Sequence, residues 1–424
     1  MAAPASEGVT PVAADVERIP ALWRNRDFNF LWIGQTLSDL GGRVSGIAFP
    51  LLVLALTGSP AKAGLVGAAG ALPLFVLTLP AGALVDRWDR KRVMVTVDAA
   101  RCVALGSVVV ALHLHSLSFA QILVVAAIDG TGFVFFGVAE RSALPSVVRD
   151  AHLERALAAN QGRDYAATLG GTPLGGALYS FSRLAPFVFD AISYLVSVVT
   201  LLLIRTSFRA EAGADDETAP PGTKLVSEMR QGLRWFWRHP FIRTSALLAV
   251  GTDFVLNGLY LVVIVIARER GASPALVGAM FFFLGLGGIA GSFAVPWLMS
   301  HVSPRAVVVG TPAVVMLLLP LLSILPGRIT AGVIYGAMFV PFPVWNAVVV
   351  STRLRLTPAT MQGRVASIAT MFSLGPVFGA SLLAGLLLQL GGTTTTVLVL
   401  CGIMVAVTAT ALASRSIAAV GSAV

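Results

Sequence analysis

The sequence predicts an all-α membrane protein with twelve transmembrane helices in two sets of six. Of its 424 residues, 56% are hydrophobic and only 12% are charged, whereas a soluble globular protein carries about 25% charged residues. The hydrophobic residues also occur in blocks of roughly 20, the length that a helix needs to cross about 30 Å of hydrocarbon. An outer-membrane barrel would instead alternate apolar and polar residues in short segments.

Each apolar block is interpreted as one membrane span. The first set lies at residues 29–56, 63–85, 93–114, 119–138, 160–181 and 185–204. The second set lies at residues 243–267, 275–298, 306–325, 329–350, 365–389 and 395–413. Residues 1–28 have no apolar core, so we expect a cytoplasmic tail rather than a signal peptide, and residues 414–424 predict a second tail.

A polar linker, residues 205–242, separates the residue 29–204 bundle from the residue 243–413 bundle. Apolar side chains recur in it at helical spacing, with polar side chains on the other face: Val226, Met229, Leu233, Phe236 and Trp237. This pattern predicts an amphipathic helix on the inner membrane surface, with its cations near anionic lipid. Alternatively, this linker helix binds a cytosolic protein instead of the membrane surface.

The positions of the Lys and Arg residues predict the orientation. With both termini in the cytoplasm, and with Arg163 and Arg243 counted at the inner ends of their spans, the inner segments hold 23 of the 30 Lys and Arg residues and the outer loops hold five. An excess of this kind marks the cytoplasmic side of a membrane protein. The net charge of +9 is therefore explained by loop residues that orient the protein in the lipid bilayer, and we expect no nucleic-acid partner.

The segment Gly82-Ala-Leu-Val-Asp-Arg-Trp-Asp-Arg-Lys-Arg92 places two acids and four bases between two apolar blocks. Such dense charge predicts an aqueous turn between two membrane helices. The order Gly-x-Leu-x-Asp-Arg-x-x-Arg-Lys resembles the cytoplasmic loop between helices 2 and 3 of the major facilitator superfamily. The resemblance implies two pseudo-symmetric six-helix bundles around a central cavity. It also implies a conformational latch on the cytoplasmic side, formed by Gly82, Asp86, Arg87, Arg90 and Lys91.

The latch has a simpler alternative, in which its bases only set the orientation. Trp88-Asp89 also departs from the family pattern, which usually has a glycine there. Elsewhere the chain resembles bacterial drug, macrolide and siderophore exporters. The segment Gly171-Thr-Pro173-Leu-Gly175-Gly176 is similar to a Gly/Pro-rich segment of antiporters, although Thr172 replaces the usual proline. The resemblance implies export across the bacterial cytoplasmic membrane by a monomer.

Several charged residues fall inside predicted spans, where a charge costs at least about 2.5–3.5 kcal/mol. Asp39 and Arg43 are four residues apart on one helix face, and Asp129 and Asp253 are at mid-span. In the superfamily, spans 1, 4, 7 and 10 line the cavity, so these acids are expected there. Burial favours a protonated carboxyl and a nearby cation favours the ionised form. We therefore predict proton coupling, led by the Asp39–Arg43 pair, with purely structural ion pairs as the alternative.

Other polar residues are predicted to form supporting ion pairs, interhelical contacts or substrate contacts. Asp98 and Arg101 are three residues apart and predict a static ion pair that supports the latch, while Asp190 predicts a helix-end or interhelical contact. Five residues on cavity helices are possible substrate contacts, with ordinary packing as the alternative: Gln35, Asn257, Tyr260, Trp345 and Asn346.

The predicted function is export of an amphipathic small molecule by a proton antiporter that needs no cofactor beyond the proton gradient. A narrow-specificity metabolite or siderophore permease of the same fold is the alternative. The sequence has no nucleophile and base in a catalytic pattern, no His-rich metal cluster and no phosphate-binding Gly-x-x-x-x-Gly-Lys motif. An enzyme and an ATP-driven pump are therefore not expected, and a passive channel would not need the latch or the two pseudo-symmetric bundles.

Overall fold

The computed structural model describes residues 22–208, 221–358 and 361–420, and its regular structure in these ranges is helical throughout. After a 3-10 turn at Leu22–Arg24, the first group comprises α1 (Arg26–Thr57), α2 (Pro60–Val85), α3 (Arg90–His113), α4 (Phe119–Val147), α5 (Asp150–Phe181) and α6 (Ala185–Leu203). The helix of the linker is α7 (Pro221–Arg238).

The second group comprises α8 (Pro240–Glu269), α9 (Pro274–Met280), α10 (Phe282–His301), α11 (Pro304–Leu318), α12 (Leu321–Ile324), α13 (Thr330–Phe339), α14 (Phe342–Leu356), α15 (Gln362–Ala413) and α16 (Arg415–Val420). Three predicted spans of this group are divided by turns of one or two residues, at Phe281, at Leu319–Pro320 and at Val340–Pro341, where the helical hydrogen bonds are interrupted although the backbone angles stay in the right-handed helical region. Proline at two of the breaks removes a backbone donor and interrupts the helix.

Ten helical segments of the described residues are long and apolar enough to cross a membrane, which confirms the all-α membrane class. The span predicted at residues 160–181 is not one of the ten, because Gly, Thr, Ser and Tyr as well as the charged Arg163 and Asp164 lower the hydropathy of α5. The two spans predicted at 365–389 and 395–413 lie in α15, where Gly392 adopts non-helical angles (φ 71°, ψ −174°). That left-handed φ requires glycine and divides α15 in two.

Side-chain caps set the starts of α1 to α4 in the first group. Asn25 accepts hydrogen bonds from the backbone N–H groups of Asp27 and Phe28 at 3.0 and 3.1 Å. Ser59 accepts from the N–H of Lys62 at 3.2 Å, so α2 begins at Pro60 rather than at residue 63. Each cap satisfies an N–H group that has no partner inside its helix.

The loop predicted between spans 4 and 5, residues 139–159, is almost entirely helical. The fourth helix continues to Val147 and the fifth begins at Asp150. The prediction was wrong because it used hydropathy to end the helices, whereas a helix can extend past the apolar zone wherever its polar side chains find partners. Glu140, which falls in the predicted loop, and Arg163, which falls at the start of the predicted fifth span, are both buried inside the bundle.

Both predicted tails are shorter than expected. Leu22 and Phe28 belong to a buried apolar cluster, and α1 begins at Arg26. At the other end, Ile417 of α16 is buried in the second group. Residues 1–21, 209–220 and 421–424, which contain the rest of the tails and the acidic part of the linker, lie outside the described residues.

Helices α1 to α6 pack on one another, as do α8 to α16. The two groups meet mainly where α2 packs on α15 and where α5 packs on α9 and α10. The linker helix α7 packs against α8 and α15 through Phe236, which contacts Phe372 with ring centroids 5.5 Å apart. Phe236 thus faces protein, although Leu233 and Trp237 are exposed as the amphipathic pattern predicted.

Candidate functional site

The two helix groups touch at one end of the bundle, which we call the Gly58 end after the α1–α2 turn. A Cβ built on Gly64 of α2 would lie 2.9 Å from the Cα of Gly385 in α15. On the other side, a Cβ built on Gly176 of α5 would lie 2.7 Å from the Cα of Gly278 in α9. Glycine is needed at both crossings because the backbones approach too closely for a side chain.

Polar contacts reinforce these two crossings. The Ser59 hydroxyl donates to Oε1 of Gln389 at 2.7 Å, and the backbone N–H of Ala275 donates to Oγ of Ser180 at 2.7 Å. Both contacts join a residue of the first group to a residue of the second. The described contacts therefore close the Gly58 end of the bundle.

A cavity of about 170 Å³ lies between the two groups, beneath the Gly64 crossing. Asp129 of α4 faces Asn257 and Tyr260 of α8 across it, and Phe49 adds an aromatic wall. The structure thus brings together three of the residues that were predicted to line a cavity. Asn257 also donates from Nδ2 to the backbone oxygen of Asp253 at 2.8 Å.

Asp129 belongs at the same time to a buried polar network centred on Arg101, which we call the Arg101 network. Nε of Arg101 lies 2.9 Å from Oδ1 of Asp129, and Nη1 lies 3.6 Å from Oδ1 of Asp98. The predicted Asp98–Arg101 pair is present, but it is one part of a larger cluster. The Arg101 guanidinium also lies 4.0 Å from the ring centroid of Tyr194.

Helix α6 supplies the other members of this network. Tyr194 donates from its hydroxyl to Oδ1 of Asp129 at 2.9 Å, and Ser197 donates to Oδ2 of Asp98 at 2.5 Å. Gln35 of α1 donates to Oγ of Ser197 at 3.0 Å and is only 2% exposed. In this arrangement Gln35 is an interhelical contact, which is the ordinary packing given as the alternative to a substrate contact.

A second buried cluster, the Arg163 cluster, differs from the predicted Asp39–Arg43 pair. Nε of Arg163 lies 2.7 Å from Oδ2 of Asp39, and its Nη1 donates to Oε1 of Glu140 at 2.8 Å. The Arg163 side chain is only 4% exposed, whereas Arg43 is exposed. Helical spacing correctly put Asp39 and Arg43 on one face, but an acid on α1 pairs with whichever cation the neighbouring helices present.

The Gly/Pro segment of α5 lies between α1 and α9. Gly171 packs against Arg43, Gly175 packs against Val44, and Gly176 forms the crossing with Gly278. Pro173 lies within the continuous helix α5. The segment is therefore a close-packed seam that joins the two helix groups.

The remaining predicted residues lie in the second group. Asp253 faces Ser373 of α15. Trp345 and Asn346 line a separate cavity of about 220 Å³ among α7, α8, α14 and α15, together with Arg353 and Phe372. The structure therefore does not bring Trp345 and Asn346 to the cavity that Asp129 lines.

The charged α2–α3 turn contacts the ends of other helices in its own group, at what we call the Asp86 end of the bundle. Oδ1 of Asp86 lies 3.9 Å from Nη2 of Arg90, and Nη1 of Arg90 donates to the backbone oxygen of Ser142 in α4 at 3.0 Å. Nζ of Lys91 donates to the backbone oxygen of Ile204, just after α6, at 2.6 Å. Arg87 is exposed, and nothing approaches the Cβ position of Gly82 within 4 Å.

Sequence reasoning missed Glu140, Arg163, Tyr194 and Ser197. A signal for two of them exists, because Asp190, Ser193, Tyr194 and Ser197 recur every three or four residues on α6 and form one polar helix face. Among the described residues, no group of three or more His, Cys, Asp or Glu side chains could hold a metal ion.

A polytopic helical protein whose two helix groups enclose a largely apolar cavity with a few polar side chains, and close over it at one end, is a membrane transporter in class. The comparisons with known proteins agree. The family model for transmembrane secretion effectors matches residues 20–421, so the chain belongs to this family of the major facilitator superfamily and is not an enzyme.

Named relatives include efflux pumps. The multidrug efflux pump Tap of Mycolicibacterium fortuitum is 27% identical over 377 residues, which are 85% of this chain and 88% of that protein. Macrolide efflux protein A of Streptococcus pyogenes is 25% identical over 54% of this chain and 55% of that protein. The fold is similar to that of a bacterial homologue of the human lysosomal transporter Spinster, crystallised in an inward-facing, unoccupied conformation. That likeness has a TM-score of 0.71 at 15% identity and covers 94% of this chain and 98% of the other.

Proposed function

We propose that this protein is a secondary active transporter that exports amphipathic small molecules from the cytoplasm by proton antiport through alternating access. It acts as a monomer in the bacterial cytoplasmic membrane, with both termini in the cytoplasm and no cofactor. The relatives named as multidrug and macrolide efflux pumps support export of drug-like compounds over a narrow metabolite or siderophore permease.

In this proposal the chain crosses the membrane twelve times. Ten apolar segments are supplemented by α5 and by the division of α15 at Gly392. The polar α5 crosses because Arg163, its buried cation, is paired with acids of α1 and α4. Each six-helix bundle then forms one half of a pseudo-symmetric transporter.

The contacts between the halves support alternating access. The excess of Lys and Arg assigns the Asp86 end to the cytoplasm and the Gly58 end to the outside. The crossings at Gly64 and Gly176 then form a closed outer gate, and the arrangement is inward-facing. The α2–α3 turn serves as the latch of the opposite state, with Arg90 and Lys91 held in place by α4 and by the residue after α6.

One observation carries the proposal of proton-coupled export. The carboxylate of Asp129 lines the cavity between the halves and is also ion-paired to Arg101, at 2.9 Å, inside the first bundle. A cationic or neutral amphipathic substrate in the cavity would contact this carboxylate and change its interaction with Arg101. Substrate binding and the protonation of buried acids are thereby linked. Asp39 and Asp253 are retained as further proton-coupling residues.

The test uses inside-out membrane vesicles energised to make their lumen acidic and supplied with a lipophilic cationic dye. We expect the wild type to accumulate dye, a protonophore to abolish accumulation, and Asp129→Asn to lose most of it. Asp150→Asn is the matched control, because Asp150 is an exposed acid at the start of α5, away from the cavity. Accumulation that survives the protonophore would refute proton antiport.

A further inference from the structure

Asp190 of α6 is the one acid of the Arg101 network that shares no ion pair with Arg101, whose two pairs go to Asp98 and Asp129. It is 0% exposed. Its Oδ1 accepts a hydrogen bond from Ser193 at 3.2 Å, and among the described residues its buried Oδ2 has only the Ser45 hydroxyl of α1 as a nearby donor, in a geometry short of a full hydrogen bond. An ionised carboxylate in this position would be buried with hydroxyl donors but without an ion pair of its own, which is strongly unfavourable.

The surrounding charges reinforce this conclusion. Three carboxylates, those of Asp98, Asp129 and Asp190, surround a single guanidinium, so the network would carry a net negative charge if all three were ionised. Helix α3 also presents Cys102 to Asp190, α1 presents Gly41 and Ser45, and its own helix presents Tyr194. Within the described part of the chain, Arg101 is the one cation among these neighbours, and carboxylates so close together cannot all ionise.

We propose that Asp190 is the proton-binding residue of this transporter and that Arg101 controls the protonation of Asp190 by moving between Asp129 and Asp190. The inference rests on the proposed function, because it supplies the site at which the antiported proton binds. In the present arrangement Arg101 compensates Asp129 and Asp98, and Asp190 is the neutral carboxylic acid.

The switch follows from the position of Asp129. Its side chain is 28% exposed at the cavity, whereas Arg101 is 7% exposed, so a cation in the cavity reaches Asp129 first. When the cation pairs with Asp129, the Arg101 guanidinium is released to compensate Asp190. The O–H bond of Asp190 then breaks and its proton leaves to water in the cavity, past the Tyr194 hydroxyl that already donates to Asp129.

The experiment measures proton release when tetraphenylphosphonium binds to the purified full-length protein in weakly buffered detergent solution. We expect the wild type to release about one proton per bound cation and Asp190→Asn to release none while it still binds the cation, because a neutral amide replaces a neutral acid.

In proteoliposomes, Asp190→Asn should retain exchange of labelled for unlabelled cation and lose accumulation driven by a pH gradient. A purely structural role would impair exchange as well. Glu154→Gln, an exposed acid on α5, is the control and should behave as wild type.

The outcomes separate this inference from the proposed function. If the wild type binds the cation without releasing protons, proton antiport itself is refuted. If the wild type releases protons and Asp190→Asn does so equally, only the assignment to Asp190 fails. Should Asp190→Asn fail to bind, the smaller Asp190→Ser takes its place. Infrared difference spectra of the wild type provide an independent check: the carbonyl band of a protonated carboxylic acid must disappear on cation binding, and its persistence overturns the inference.

Discussion

At the scale of single residues, buried arginines organise the first helix group. Arg163 holds Asp39 of α1 and Glu140 of α4, and Arg101 holds Asp98 of α3 and Asp129 of α4. Each guanidinium offers several donors in a fixed plane, which suits it to bridge acids on different helices. These two clusters connect α1, α3, α4, α5 and α6 through charge rather than through apolar packing alone.

Arg163→Met is expected to destabilise the protein. It leaves the carboxylates of Asp39 and Glu140 without their cation, and removing one partner of a buried pair costs about 3–5 kcal/mol. Thermal unfolding in detergent should show a clear fall in Tm. Asp164→Asn removes an exposed partner 3.6 Å from the same guanidinium and should change the free energy of unfolding by about 0–1 kcal/mol. Equal effects of the two substitutions would contradict this role of Arg163.

At the scale of helices, the contacts between the halves depend on pairs of glycines at the Gly58 end. The Gly64–Gly385 crossing joins α2 to α15, and the Gly176–Gly278 crossing joins α5 to α9. The predicted Gly/Pro segment of α5 supplies one partner of the second crossing. Backbones this close gain dispersion contacts without losing side-chain entropy, so they form a surface that can close tightly and open again.

Gly64→Ala is expected to favour opening of the Gly58 end, because its methyl group would lie 2.9 Å from the Cα of Gly385. If the clash destabilises the closed form by about 1.4 kcal/mol, the ratio of open to closed protein rises about tenfold. The readout is labelling of Asn257→Cys by a membrane-impermeant maleimide from outside the cell, with Cys102 and Cys401 replaced by serine. Gly106→Ala, where nothing lies within 4 Å of the Cβ position, should leave labelling unchanged. No increase for Gly64→Ala would argue against the outer gate.

At the scale of the whole molecule, transport requires the two halves to separate at the Gly58 end. Ser59 and Gln389 lie on opposite halves, with their side-chain oxygens 2.7 Å apart. A short cleavable crosslinker between Ser59→Cys and Gln389→Cys, with both native cysteines replaced, should stop transport, and cleavage of the crosslink should restore it. Each single cysteine variant is the control. Full activity in the crosslinked protein would exclude movement between the halves at this end.

Much of the fold could be predicted from the sequence, although the site could be predicted only in part. Apolar blocks located the membrane helices, and the break between the last two spans agrees with Gly392. The ends of α4 and α5 could not be placed in this way, because Glu140 and Arg163 are stabilised by each other rather than by water. Asp129, Asn257 and Tyr260 were correctly expected at one cavity, whereas Gln35, Trp345 and Asn346 lie elsewhere.

The sequence by itself determined the class of protein and the positions of its charged turns. The reason is local. Backbone groups in hydrocarbon must form their hydrogen bonds within their own helix, so each membrane span is one continuous apolar stretch of the sequence. Only the tertiary structure decided which charges meet. Asp39 forms an ion pair with Arg163, 124 positions away, and Asp129 forms an ion pair with Arg101 and accepts a hydrogen bond from Tyr194. Such contacts depend on which helices are neighbours and how each helix is rotated. No spacing along one helix contains that information.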